Sequence, residues 1–175
     1  MPTTQGAHVN LNDLTIATDN LDQPRLLNHW QWLLPAQVEV LLVTKTADCF
    51  LLEPETGHIL FLDTNDGELE HIASDFDEFR TVLADPEFIT DYFSLLLMAP
   101  LLETSLPENA VFALATPPVL GGSFETDELT LVDIYQYFDE MGALWQKLSQ
   151  IELPDDAANE PGLSPDSDID SKKSE

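Results

Sequence analysis

The sequence predicts an α+β fold: an antiparallel sheet meander packed against several helices in a single domain. Three observations carry this expectation. Short apolar runs between residues 38 and 72 are separated by turn signals only a few residues long, which implies antiparallel pairing. Segments with apolar residues at helical spacing lie on both sides of that region. The chain has 175 residues, 43% of them hydrophobic, enough to fill one core but too few for two ordinary domains.

Residues 1–20 are polar and are expected to be irregular. Residues 21–34 hold Leu21, Leu26, Leu27, Trp30, Leu33 and Leu34. Pro24 suits a first helical turn and Pro35 ends the segment, so a short helix with a Trp-bearing face is expected. Four strands follow at 38–43, 48–53, 58–63 and 68–72, with Phe50 and Leu52 on one side of the second. Pro54-Glu55-Thr56-Gly57 and Asn65-Asp66-Gly67 supply turns whose glycines accept positive φ. Ser74, with Asp77 three residues on, suggests a helix cap ahead of Phe76, Phe79 and Leu83. Asp85-Pro86-Glu87 reads as an N-cap, a first-turn proline and an acid near the positive helix end. Phe88, Tyr92, Leu95 and Leu96 would form that helix's buried stripe. Buried strands are expected at 111–115 and 129–132. A last helix over 133–150 would turn Ile134, Tyr137, Phe138, Met141, Leu144, Trp145 and Leu148 inward.

The chain thus divides into a polar segment (1–20), an α+β domain (21–152) and an acidic tail (153–175). The tail is rich in Pro, Asp and Ser and has almost no large apolar side chain, so it is expected to be disordered. It carries seven acids and two lysines, a net −5 that leaves −22 of the total −27 on residues 1–152. Only 6 basic residues stand against 33 acids, which argues against binding phosphate backbones or anionic membranes. The same charge would steer a basic protein partner, and it would also keep a cytosolic protein soluble. Charge alone leaves both readings open. A single cysteine, Cys49, excludes an internal disulfide. Residues 1–6 show neither a basic start nor an apolar stretch, and the run 95–102 is too short to span a bilayer. A cytoplasmic location is expected.

No spacing points to catalysis. His8, His29, His58 and His71 form no metal-ligand pair, and HExxH is absent. Neighbouring strands could bring His58 and His71 close together without making a site. Asp63-Thr64-Asn65-Asp66-Gly67 begins like a calcium loop, but its glycine is one position early and Ser74 stands where a bidentate Glu is needed. Gly121-Gly122-Ser123-Phe124-Glu125 is not GxSxG, and no histidine follows His71. The chain is expected to be no enzyme and to need no cofactor.

The most telling segment is Thr116-Pro117-Pro118-Val119-Leu120-Gly121-Gly122-Ser123-Phe124-Glu125. A strand runs into a double proline and then a double glycine, whose lack of Cβ permits a close turn. Upstream lies the hairpin Phe50-Leu51-Leu52-Glu53-Pro54-Glu55-Thr56-Gly57-His58-Ile59-Leu60-Phe61-Leu62-Asp63-Thr64. Together, over roughly residues 25–150, they resemble the C-terminal domain family of type VI secretion immunity proteins, the kind found beside DNase toxins and often after a GAD-like domain. Too few residues precede Leu21 for a complete GAD-like domain to be expected here.

The resemblance implies a protein that binds a cognate toxin, a basic nuclease domain, and blocks its active site or substrate access. Candidate contacts are the hairpin acids Asp63, Asp66, Glu68 and Glu70 and the loop acids Glu125, Asp127 and Glu128. The alternative is an acidic regulatory protein, or nucleic-acid mimic, that occupies a DNA-binding partner.

Overall fold

The structure, a computed structural model, describes residues 9–151. His8 and the expected tail lie outside the described residues. Five strands form one antiparallel sheet in chain order: β1 (Thr15–Ile16), β2 (Glu39–Thr44), β3 (Cys49–Glu53), β4 (His58–Asp63) and β5 (Glu68–Ala73). The four expected strands are all present, within one residue of their expected limits. Gly67 sits at φ +67 in the β4–β5 hairpin, and a Cβ there would run into the ring of Trp145.

β1 was not expected. Within the segment read as irregular, α1 (Leu11–Leu14) is closed by a capping box between Asn10 and Asp13, and β1 pairs with β2. Leu14 is buried beneath the sheet. The expected helix over 21–34 is also shorter. α2 (Gln23–Leu26) starts at an Asp22 cap, then gives way at Leu27 (φ −96°, ψ 4°) to a 3-10 turn, Asn28–Trp30. Trp30 is nonetheless fully buried, and its Nε1 donates to the Phe138 carbonyl at 3.0 Å.

α3 (Phe76–Leu83) is capped by Asp75 and not by Ser74: the Asp75 side chain accepts from the Glu78 N–H, while Glu78 accepts from the Ser74 N–H. α4 (Pro86–Tyr92) begins at the expected Asp85 cap. The stripe expected to continue through Leu96 is interrupted. Ser94 adopts the left-handed conformation (φ 51°) before α5 (Leu95–Met98), which resets the helical phase. Leu96 therefore faces outward, 79% exposed, and Phe93 takes the buried position.

β6 (Ala110–Leu114) and β7 (Leu129–Asp133) pair with each other as a separate antiparallel ribbon. Between them, Pro118–Leu120 makes a 3-10 turn, and Gly121 follows at φ +97. A Cβ on Gly122 would collide with the Thr116 carbonyl oxygen, so close backbone approach and not positive φ requires that glycine. α6 (Ile134–Gln150) starts where Asp133 accepts the Gln136 N–H.

Strand alternation divides the core into two layers. Cys49, Leu51, Leu60 and Leu62 face α6 and the α2 segment, joining Trp30, Phe138 and Met141. Phe50, Ile59 and Phe61 face α3, α4 and α5, joining Phe79, Phe93 and Met98. β6 contributes to both layers, Val111 and Ala113 to the first and Phe112 to the second.

Candidate functional site

The expected contact acids divide when placed in the fold. Asp63 ends β4 and is half-buried; its Oδ1 accepts from the N–H groups of Asn65 and Asp66, at 2.9 and 3.0 Å, and so shapes its own turn. Asp66 and Glu68 are exposed on the hairpin. Glu70, on β5, accepts the Tyr92 hydroxyl proton at 2.6 Å. Glu125 and Asp127 are exposed in the loop before β7, and Glu128 is half-buried there. The hairpin is held from its other side, where Trp145 Nε1 donates to the Thr64 carbonyl at 3.1 Å.

Asp63 and Glu70 line a cleft of about 310 Å³ together with Asp48, Asp91, Tyr92 and Phe124. It opens where the hairpin, the break at Ser94 and the 121–128 loop meet. Asp91, Ser94 and Phe124 also line an adjoining shallow hollow, which Glu125 and Leu96 border. Thr126 Oγ1 donates to the Leu97 carbonyl at 2.8 Å and so fastens the loop to α5. Phe124, 58% exposed, stands between the two hollows. Asp66, Glu68, Asp127 and Glu128 do not line either one.

Asp48, at the floor, was missed as a functional residue because its sequence context reads only as the start of a strand. It is 4% exposed. Thr64 holds it: the backbone N–H donates to Oδ1 at 2.9 Å, and the hydroxyl lies 3.0 Å from the same oxygen. The preceding turn is strained, with buried Ala47 at φ 71°. Burial, reinforced by the neighbouring Asp63 carboxyl, raises the Asp48 pKa well above the usual carboxylate range. Burial raises Asp63 as well. Tyr92 is pushed up to about 12 by burial and by its bond to Glu70. No ion pair among the described residues involves Asp48, Asp63, Glu70 or Asp91.

Other features gather less chemistry. His58 and His71 do meet, edge to face with ring centroids 4.7 Å apart, and His58 Nδ1 lies 4.0 Å from Glu53 Oε2. No group of three or more His, Cys, Asp or Glu side chains placed to hold a metal ion occurs among the described residues. A hollow of about 500 Å³ between Gln23 and Pro54 is larger than the acidic cleft, but Glu39 is its one acidic residue, so it brings no titratable groups together. Cys49 is buried, and burial raises its thiol pKa, which suits a core residue and not a nucleophile. No helix among the described residues is long and apolar enough to cross a membrane.

Comparison with known proteins adds one match. The family model described as T6SS immunity protein Tdi1, C-terminal, matches residues 73–144, from the end of β5 into α6. This is the family that the segment after Thr116 resembles, and its members are toxin inhibitors, not enzymes. No curated protein matches the chain. The matched segment includes Asp91, Tyr92, Ser94 and Phe124; Asp48, Asp63 and Glu70 come from the meander before it.

Proposed function

From a segment that matches the type VI secretion immunity family, we propose that this chain is an immunity protein that neutralises a cognate secreted toxin by stoichiometric binding. It acts in the cytoplasm of the cell that makes it and covers the toxin's active site or its access for substrate. The toxin is a nuclease whose basic surface answers the −22 carried by residues 1–152.

One observation supports the location of binding. Leu96 and Phe124 stand exposed beside acidic groups that have no basic partner among the described residues. An aromatic or aliphatic anchor inside a polar rim is the usual anatomy of an energetically important contact. Asp63, Glu70 and Glu125 lie within this region, whereas Asp66, Glu68, Asp127 and Glu128 act at longer range by steering.

The test is binding and protection by the purified chain with the toxin encoded beside it. Equimolar protein should abolish toxicity. Association should slow as salt rises, because attraction is screened beyond about 10 Å at 0.1 M, while dissociation should change less. Protection at strongly substoichiometric ratios would mean that a substrate is being turned over, and the binding mechanism would be wrong. Failure to form a complex with that toxin would remove the immunity reading.

A further inference from the structure

Resting on the proposed immunity role, we infer that the free edge of β5 takes up an extended segment of the toxin as an added strand, one that carries basic residues at alternate positions. The two edges of the sheet differ in how their backbone groups are met. At the first edge, β1 pairs with Val43 and Thr44 of β2, the Lys45 N–H donates to the Leu14 carbonyl at 2.9 Å, and the Gln23 side chain accepts the Val40 N–H at 3.0 Å. At the other edge, β5 runs for six residues, and no described hydrogen bond joins its backbone to anything but β4. Alternate N–H and C=O groups along it therefore point away from β4 with no protein partner among the described residues. Such a row is the template on which a partner's strand is added.

The edge is fixed before a partner arrives. Gly67 lies against the Trp145 ring and the Trp145 indole bonds to the Thr64 carbonyl, which holds the hairpin that starts β5. Leu69 and Ile72 are half-buried against the two core layers. Little ordering of this side remains for binding to offset. The side chains then choose the partner. Glu68 and Glu70 are exposed and, two residues apart, lie on one face of the strand. Asp63 stands directly opposite Glu68 on β4. Basic side chains at alternate positions of an added strand would fall beside Glu68 and Glu70 at cross-strand distance, where opposite charges attract. Leu69 lies on the other face, so the residues between the basic ones should be apolar. A second copy of this chain is the poorer occupant. In antiparallel registers centred on Leu69 or on Glu70, one glutamate would face another, and like charges directly opposite are destabilising. The added strand also adjoins the cleft, which Glu70 lines, and it gives Glu68 a direct partner in addition to its steering role.

The experiment follows the backbone amides of the full chain by NMR, free and with the toxin encoded beside it. Expected in the complex are cross-strand NOEs from β5 to a toxin segment and hydrogen exchange about tenfold slower, or more, at alternate amides of residues 68–73. A second arm uses synthetic peptides. Acetyl-Lys-Val-Lys-Val-Lys-Val-amide should bind along β5 with a Kd on the order of millimolar. Acetyl-Lys-Lys-Lys-Val-Val-Val-amide, which has the same charge but no alternation, and acetyl-Glu-Val-Glu-Val-Glu-Val-amide should leave the β5 signals unchanged. Glu68→Lys alters an exposed side chain that makes no described hydrogen bond, so folding is not at stake, and it should weaken the alternating lysine peptide about threefold or more. Equal binding by the two lysine peptides would mean attraction by charge without pairing and would overturn the inference. Exchange protection that grows with the chain's own concentration would put a second copy on the edge and overturn it too. If the toxin binds and β5 exchange is unchanged, strand addition falls and the immunity role stands. If the toxin does not bind while the alternating lysine peptide pairs along β5, the immunity role falls and the edge stands as the acceptor of a basic strand. If neither binds, both fall.

Discussion

The two faces of the meander are covered in different ways. One lies under α6, a helix of 17 residues, and the α2 segment, whose Trp30 is buried against Phe138 with its indole bonded to the Phe138 carbonyl. The other lies under three short helices of 8, 7 and 4 residues, with a left-handed residue at Ser94 between the last two. A long helix presents one continuous stripe, and the hollow on this face lies away from it, along the α2 segment between Gln23 and Pro54. Short helices meet at angles and leave seams, and here the seam is the acidic cleft. The apolar content of the two faces is similar, since both bury several large aromatic or aliphatic side chains. What separates the closed face from the open one is the continuity of the cover.

The largest test of that difference is truncation on each side. Phe138→Ala and Phe50→Ala each remove a fully buried ring and should each cost about 3–5 kcal/mol. Phe138 should fall at the upper end, because a rigid 17-residue helix cannot settle into the space. Phe50 contacts the ring of Phe61 on β4 and those of Phe79, Phe88 and Phe93 on or next to the short helices α3 and α4, whose cover is interrupted, and should fall at the lower end. Urea unfolding with unchanged m-values measures both. The reverse order would show that the three-helix cover is the stiffer one.

Next in size is the loop that supplies Phe124. Gly122→Val should cost about 1–3 kcal/mol, since any Cβ there meets the Thr116 carbonyl oxygen and backbone must move. A neutral result would mean that the loop packs otherwise than described, and the position of Phe124 would have to be redrawn.

Asp48→Asn should act in the opposite direction. The raised pKa means that the folded state keeps its proton at pH values where the unfolded carboxyl, near 3.8, has already lost it. The folded state therefore loses stability relative to the unfolded chain as pH rises from about 3.8 toward the folded pKa, and the loss is complete above that value. Asn removes the titration and keeps an acceptor for Thr64. At neutral pH it should stabilise by about 1–3 kcal/mol, and the advantage should shrink toward pH 4. Asp63 titrates beside it and is also raised, so it leaves a smaller residual slope of the same sign. A destabilised Asn variant at pH 7 would show that the charged carboxylate is needed for folding.

How much of this was legible in the sequence depends on range. The strands at 39–73 announced themselves because alternation and turn glycines are local signals. The Asp85 cap was equally local. β1 was invisible because two residues carry no period, and its place depends on the free edge of β2. The Ser74–Asp77 and Asp75–Glu78 pairs both fit a cap at the same spacing, and only the backbone at Asp75 (φ −162°) decides between them. Leu96 was misassigned because a helical period was carried across Ser94, where one left-handed residue breaks the phase. The acidic cleft was legible only in pieces. Its walls come from residues 48, 63, 70, 91 and 124, which share no spacing, and Asp48 gave no sign of its burial.

The smallest expected effect on stability sharpens the comparison most. Leu96 is 79% exposed on the broken helix, so Leu96→Ser should change unfolding free energy by no more than about 0.5 kcal/mol. On α6 the corresponding large side chains Ile134, Phe138 and Met141 are buried in the core. If the open face is the docking surface, this silent change should still weaken toxin binding by about tenfold, with the loss appearing in the dissociation rate because Leu96 carries no charge to steer association. The paired control is Leu131→Ser, an exposed leucine on β7 that lines neither hollow, which should leave both stability and binding as they were. Stopped-flow kinetics with the toxin, set beside urea unfolding of each variant, reads the two effects separately. Equal weakening by both serines would mean that exposed apolar surface in general, and not the seam, drives binding. No weakening by Leu96→Ser would move the docking surface away from the open face.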